Sequence, residues 1–385
     1  MKIACKVLCS LQLLLFAFHV HAQTTYKIAV FAPIYIDSAF DGNNYKLGAG
    51  NLPRNVLPGL EFYNGVMTAI DSLQQENVPV EVLVYDSKSR TPLSSIVSAP
   101  EFSNVSLIIA SFNNRADIKP LADVALQRKI PLVSSTFPND GGITNNPYFI
   151  VINSTLRTHC EEIYKYLQRY YALNNIVYIR RKGAVENVIQ GYFTDIGHNT
   201  LSIPLKMKTT ELPDSFTQAQ LLATLDSNKS NIVICGTLDE AFGTRVLRTL
   251  NKNTNYPATV VGMPTWDGLK DLESPEFQNV EFMYSSPYNF IHTQPTAISF
   301  AQRYHLKYNA RPSDMAFKGF ESMYHFTKLL IAHNSDFLYN LYDKNFKLFN
   351  EFDIRPVLNK KDATVIDYLE NHKVYFIKKQ DGQTK

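Results

Sequence analysis

The chain reads as an α/β protein built from two doubly wound, mainly parallel sheets. Short β-branched runs alternate with amphipathic helices along most of its length, and the strand, helix, strand order of that alternation implies parallel pairing. The series then restarts near Pro147, so two such sheets are written one after the other. With 385 residues, 45% of them hydrophobic, the chain is long enough for two cores.

Taken in order, "YKIAVFAPI" (Tyr26 to Ile34) is a buried strand, and Leu60, Tyr63, Met67 and Ile70 recur at helical spacing. "VPVEVLVYD" (Val78 to Asp86) and Val105 to Ala110 are the next strands. Ile118, Leu121, Ala122 and Ala125 mark a helix, and Ile130 to Val133 is a strand again. In the second series "PYFIVIN" leads into a helix capped by Ser154, with Leu156, Cys160, Ile163 and Leu167 on one face. Strands follow at Asn175 to Arg180, Asn231 to Gly236 and Ala258 to Met263. The helices between them are Glu186 to Ile196, Gln218 to Leu225 and Glu240 to Leu250. After "EFMYSSPY" come helices at Thr296 to Tyr308 and Ser313 to His333, then an irregular tail ending in the strand-like "HKVYFIKK". The long connection from Ile36 to Pro58, rich in Gly, Asn and Pro, is a functional or mobile loop on length alone.

The N-terminus reads as a secretory signal peptide over residues 1–22. Lys2 and Lys6 precede the apolar segment Val7 to Val20, and cleavage before Gln23 is expected. That segment is shorter than the roughly 20 residues of a spanning helix, so a periplasmic or secreted chain without a transmembrane segment after cleavage is expected. Cys5 and Cys9 lie too early for lipid attachment. Cys160 and Cys235 are left, and the burial tendency of cysteine favours free thiols over a bridge. A balance of 38 Lys and Arg against 35 Asp and Glu gives no footprint for nucleic acid. No phosphate loop, nucleophile elbow or paired zinc-binding histidines occur, so neither an enzyme nor a metal or cofactor protein is expected.

What remains is a binding site at the carboxyl ends of the strands, where a parallel sheet delivers its loops and the following helices their free NH groups. Two apolar runs stop abruptly in small polar residues: Ser111, Asn113 and Asn114 after one, and Ser134, Ser135 and Thr136 after the other. These offer hydroxyl and amide partners to a polar solute, though Ser and Asn also favour ordinary turns and caps. Asp239 or Glu240, after a second-series strand, would face a cationic group, or else cap a helix. Trp266, in "GMPTWDG" past another strand end, either lines the site or packs in the core.

The order of these pieces resembles the type I periplasmic solute-binding proteins, in particular the branched-chain amino-acid receptors of ABC importers. The likeness is carried by "KIAVFAPIY", "GLEFYNGVMTAIDSLQ", "VSLIIASFNN", "IPLVSSTFPND", "PYFIVINSTLRTHCEEIYKYL" and "FAQRYHLKYNARPSDMAFKGFESMYHFTKLL". In pattern it is closest to the variety in which the domain follows a LysM module, although no such module is expected between the leader and the first strand. One departure is Ala110-Ser111, where relatives commonly carry Gly-Pro.

The resemblance implies two lobes joined by a three-segment hinge, closing around a small-molecule ligand such as an amino acid or peptide. Its lobes map to residues 26–147 plus 288–333 and 148–287 plus 334–385. An ABC permease or an envelope protein is the implied partner. The alternative is an envelope scaffold or regulator that binds a protein or peptidoglycan and no small ligand.

Overall fold

Strand β1 (Tyr26–Ala32) sends Ile28, Val30 and Ala32 into one core and Ala29 and Phe31 into another, the alternation of a strand covered on both faces. In the computed structural model, which describes residues 25–48, 50, 52–269, 274, 277–380 and 383–384, it is an inner strand of a seven-stranded sheet. The expected leader, residues 1–22 with cleavage before Gln23, lies outside the described residues.

The first series continues through α1 (Leu57–Gln75), β2 (Val80–Asp86), β3 (Val105–Ala110), α2 (Ile118–Arg128), β4 (Leu132–Ser134) and β5 (Phe149–Val151). The second runs through α3 (Leu156–Tyr170), β6 (Asn175–Arg180), α4 (Ala184–Asn199), β7 (Met207–Glu211), β8 (Asn231–Cys235), α5 (Glu240–Asn251), β9 (Ala258–Gly262) and β10 (Glu281–Ser286). Helices α6 (Pro295–Tyr308) and α7 (Asp314–His333) and strands β11 (Ile354–Leu358), β12 (Ile366–Asn371), β13 (Tyr375–Gln380) and β14 (Gln383–Thr384) complete the chain.

The first sheet has the order β11-β12-β5-β4-β3-β1-β2 and is parallel except for β11. The second has the order β14-β13-β10-β9-β8-β6-β7 and is parallel except for β13, which pairs antiparallel with both β10 and β14. Each sheet is therefore sandwiched between two cores. Helices α1, α6 and α7 cover one face of the first sheet and α2 the other. Helices α3 and α4 cover one face of the second and α5 the other. Helices α1 and α7 cross so closely that a Cβ on Gly65 would lie 2.0 Å from the Ala316 carbonyl oxygen, and one on Gly319 2.1 Å from that of Phe62. Only glycine permits such an approach.

Sheet membership shifts two expected boundaries. Phe149–Val151, expected in the second lobe, pairs with β4 in the first sheet, and residues 354–371 of the tail pair beside it. Only from Tyr375 onward does the tail join the second sheet. The chain thus passes between sheets three times, at Ile152–Thr155, Pro287–Gln294 and His372–Val374. Three buried apolar residues read equally well in either sheet, and "IDYLEN" lacks the β-branched run that marks an inner strand. Strand β7, "MKTTE", is a polar edge strand that no apolar run announces.

Asn371 stitches two of the crossings together. Its Nδ2 donates to the carbonyls of Ile152 and Lys373, both at 3.2 Å, and its Oδ1 accepts from the amides of Asp353 (2.9 Å) and Lys373 (3.0 Å). Ser154, expected as a helix cap, instead donates to the Asn371 carbonyl at 2.6 Å, and Thr155 caps α3. The remaining crossing, at residues 287–294, is held by Asn350, which accepts the Asn289 amide at 2.7 Å and is itself fixed by buried Glu321.

Candidate functional site

At the carboxyl end of the first sheet the small polar residues bond mainly to the protein itself. Thr136 Oγ1 accepts from the Phe112 amide at 3.1 Å and lies 3.1 Å from Ser111 Oγ, which locks the ends of β3 and β4 together. Asn153 Nδ2 donates to the Thr136 carbonyl at 2.7 Å, and the Tyr288 hydroxyl to the Ser135 carbonyl at 2.6 Å, tying that edge to two crossings. Ser134 and Ser135 are fully buried, and their hydroxyls find no partner among the described residues. Asn113 Nδ2 donates to the Tyr35 hydroxyl at 2.9 Å, while Asn114 caps a short turn by accepting the Ala116 amide.

The second sheet's edge divides in the same way. Asp239 caps α5 by accepting the Phe242 amide at 2.8 Å and pairs with Arg181 at 2.6 Å. Glu240 is exposed in the first turn of α5 and lines a depression on that helix's outer surface, with Arg245 and Arg248. Trp266 is completely buried, packed edge-on against Phe282 at 6.1 Å between rings and roofed by Gly243 and Gly262. It is a core residue, and its two neighbours in sequence, Thr265 and Asp267, face outward into the space between the sheets.

That space is a cleft of 410 Å³ bounded by both sheets and by the crossing at Ser286–Tyr288. Asn139, Asn153 and Ser154 line it from the first side, and His159, Thr265 and Asp267 from the second. None of the nine sequence-predicted residues lines it, although Thr136, Asp239, Glu240 and Trp266 stand within two positions of residues that do. A second hollow of 300 Å³ lies alongside and shares Asp267, Tyr288 and Lys318.

These three residues set the chemistry. The Lys318 ammonium, from α7, sits 4.5 Å from the centre of the Tyr288 ring and has no carboxylate within ion-pair distance among the described residues. Desolvation between the lobes pulls its pKa down, against the pull of Asp314 and Asp267. Desolvation likewise raises the Asp267 carboxyl, opposed by the Lys318 charge and by bonds from the Tyr284 and Ser286 hydroxyls. His159 Nδ1 lies 2.8 Å from Ser285 Oγ, and burial drives its pKa down to about 3, so the ring is neutral at physiological pH. Opposite charges, one on helix α7 and one on the turn after β9, thus face one cleft without pairing directly, an arrangement suited to a solute carrying both signs.

No protein-family model and no curated protein sequence matches the chain. Solved structures do. A protein assigned to branched-chain amino-acid ABC transport in Rhodospirillum rubrum superposes with a TM-score of 0.66 at 13% identity, over 94% of this chain and 99% of that one. A branched-chain amino-acid ABC transporter periplasmic ligand-binding protein from Burkholderia xenovorans LB400 gives 0.58 at 13% identity, over 94% and 92%. The fold is that of the type I periplasmic binding proteins. An ABC transporter substrate-binding protein from Desulfitobacterium hafniense in complex with Leu shares this fold, with a TM-score of 0.54 at 12% identity over 94% and 99% of the two chains. In this fold the three crossings connect the two lobes, and the 410 Å³ space lies between them. Sequence reasoning missed Lys318, which no local pattern marks, and Tyr288. It passed over Asp267 in favour of the adjacent tryptophan, although the same strand end pointed to both.

Proposed function

We propose that the chain is an exported receptor that captures a small zwitterionic solute, an amino acid or short peptide, between its lobes and performs no chemistry on it. The observation that carries this is the facing of Asp267 and Lys318 across one cleft beside the hinge. Lys318 would take the solute carboxylate, Asp267 the ammonium, and Tyr288 would back both. The fold supports the reading, as does a cleft whose imidazole is held neutral by burial rather than poised to exchange protons. Periplasmic residence after cleavage at Gln23 and delivery to an ABC permease complete the proposal, and the LysM-associated variety remains the sequence pattern it most resembles.

The test is a thermal-shift screen of amino acids, short peptides and muropeptides on the full chain. A ligand at a hundred times its dissociation constant stabilises by about 2.7 kcal/mol. A stabilising amino acid whose effect falls to about half or less in Lys318→Met supports the receptor; no shift from any of them overturns it. A second reading, an envelope scaffold without a small ligand, draws on the Ser111–Thr136 lock, which ties up hydroxyls that a solute would otherwise meet. Under that reading Lys318→Met leaves every binding property unchanged.

A further inference from the structure

The amino edge of the second sheet, away from the cleft, carries a surface that neither the receptor reading nor the hinge uses. Leu173 and Leu201 have relative exposures of 102% and 106%, and Ile203 86%, against a chain in which such residues are otherwise mostly covered. They lie on two neighbouring loops. Gln168, in the last turn of α3, donates to the Thr200 hydroxyl (3.2 Å) and to the Ile203 carbonyl (2.8 Å), and this draws the 200–206 loop beside Leu173. Leu173 also shares a shallow 440 Å³ depression with Lys206, Lys208 and Lys229. Lys206 and Lys208 are exposed and have no carboxylate within ion-pair distance among the described residues; Lys229 is offset by Asp226 at 3.4 Å.

We propose that this edge docks the protein onto an anionic phospholipid bilayer, with Leu173, Leu201 and Ile203 dipping into the headgroup boundary and Lys206 and Lys208 resting on the lipid phosphates. Protruding apolar tips with lysines beside Leu173 match what such a surface requires, burial of a small apolar area together with attraction to negative headgroups. A second copy of the chain is a poorer occupant, because a two-fold contact would set each lysine cluster against its own image. Strands β6 and β8, six and five residues long, separate this edge from the cleft, so docking leaves the cleft open to solution.

Co-sedimentation of the full chain with vesicles tests the proposal. Binding is expected to vesicles of phosphatidylglycerol mixed with phosphatidylcholine, not to phosphatidylcholine alone, and to fall as salt is raised. The triple substitution Leu173→Ser, Leu201→Ser, Ile203→Ser should weaken it at least tenfold. Lys206→Gln and Lys208→Gln should each weaken it roughly fivefold. Matching melting temperatures identify variants that fold as the parent does. The proposal is overturned if the parent does not sediment with the anionic vesicles, if the folded triple variant binds as the parent does, or if light scattering shows a dimer that the triple variant breaks while vesicle binding is absent.

Discussion

Lys318 is held in a place that costs stability, since desolvating an ammonium without a close carboxylate is unfavourable. Lys318→Met should therefore leave the melting temperature of the empty protein unchanged or raise it. The same change should cost a carboxylate ligand on the order of ten- to a hundredfold in affinity, the worth of a hydrogen bond to a charged group, measured by calorimetry on whichever solute the screen finds. His159 allows a pH prediction. Its folded pKa of about 3 lies below the ordinary value near 6.5, so the unfolded chain binds the extra proton across that window. Stability from neutral burial is complete above pH 6.5 and is lost as pH falls toward 3, the loss amounting to about 2 kcal/mol at pH 5. Thermal melts at pH 7.5 and 5 should show a smaller acid-side drop in His159→Gln than in the parent; an equal drop would mean the ring is not buried neutral. At this scale the sequence was legible as to place and not as to partner. The polar clusters at Ser111 and Ser134 mark the carboxyl edge of the first sheet, but whether a hydroxyl there meets a solute or its neighbour depends on loop paths that no local pattern encodes.

Among the elements, the inner strands were readable because burial on both faces demands unbroken apolar runs, as in "NIVIC" and "VSLIIA". Edge and late strands were not. Strand β7 is polar at four of its five positions, and β12 joins the first sheet through pairing with residues more than two hundred positions earlier. The α1–α7 crossing yields a sharp expectation. Gly65→Ala drives a methyl into the Ala316 carbonyl and should destabilise by about 1–3 kcal/mol or more in chemical denaturation, whereas Gly191→Ala, on α4 with open space around it, should not. Cys160 and Cys235 belong to cores on opposite faces of the second sheet. Burial raises both thiols, that of Cys235 to about 12. Neither should react with a disulfide reagent until the protein unfolds, and both should then titrate as free thiols; a native disulfide found by mass spectrometry would contradict this placement.

For the whole molecule, the two-sheet plan was legible from periodicity, while the lobe boundaries were not, because a hinge is defined by which sheet a strand joins. Asn371 sits where that decision is made. Asn371→Ala removes partners from the Ile152 and Lys373 carbonyls and the Asp353 and Lys373 amides, and a loss of about 1–3 kcal/mol is expected for buried groups left unsatisfied. Closure is best followed by small-angle scattering, with a smaller radius of gyration once a ligand is bound. Trp266 is a poor reporter, being sealed in one lobe's core on every side.

The late arrival of β12 matters for how the chain is made. On a ribosome, β5 emerges with β4 on one side and nothing on the other, and its outer row of backbone groups stays unpaired until more than two hundred further residues have been synthesised. An exposed parallel edge is an invitation to pair with a neighbouring nascent chain. The first lobe therefore cannot be finished before the second has been threaded out almost in its entirety, and a polypeptide halted after Phe352 should aggregate even though both its helical layers and five of its strands in that sheet are present.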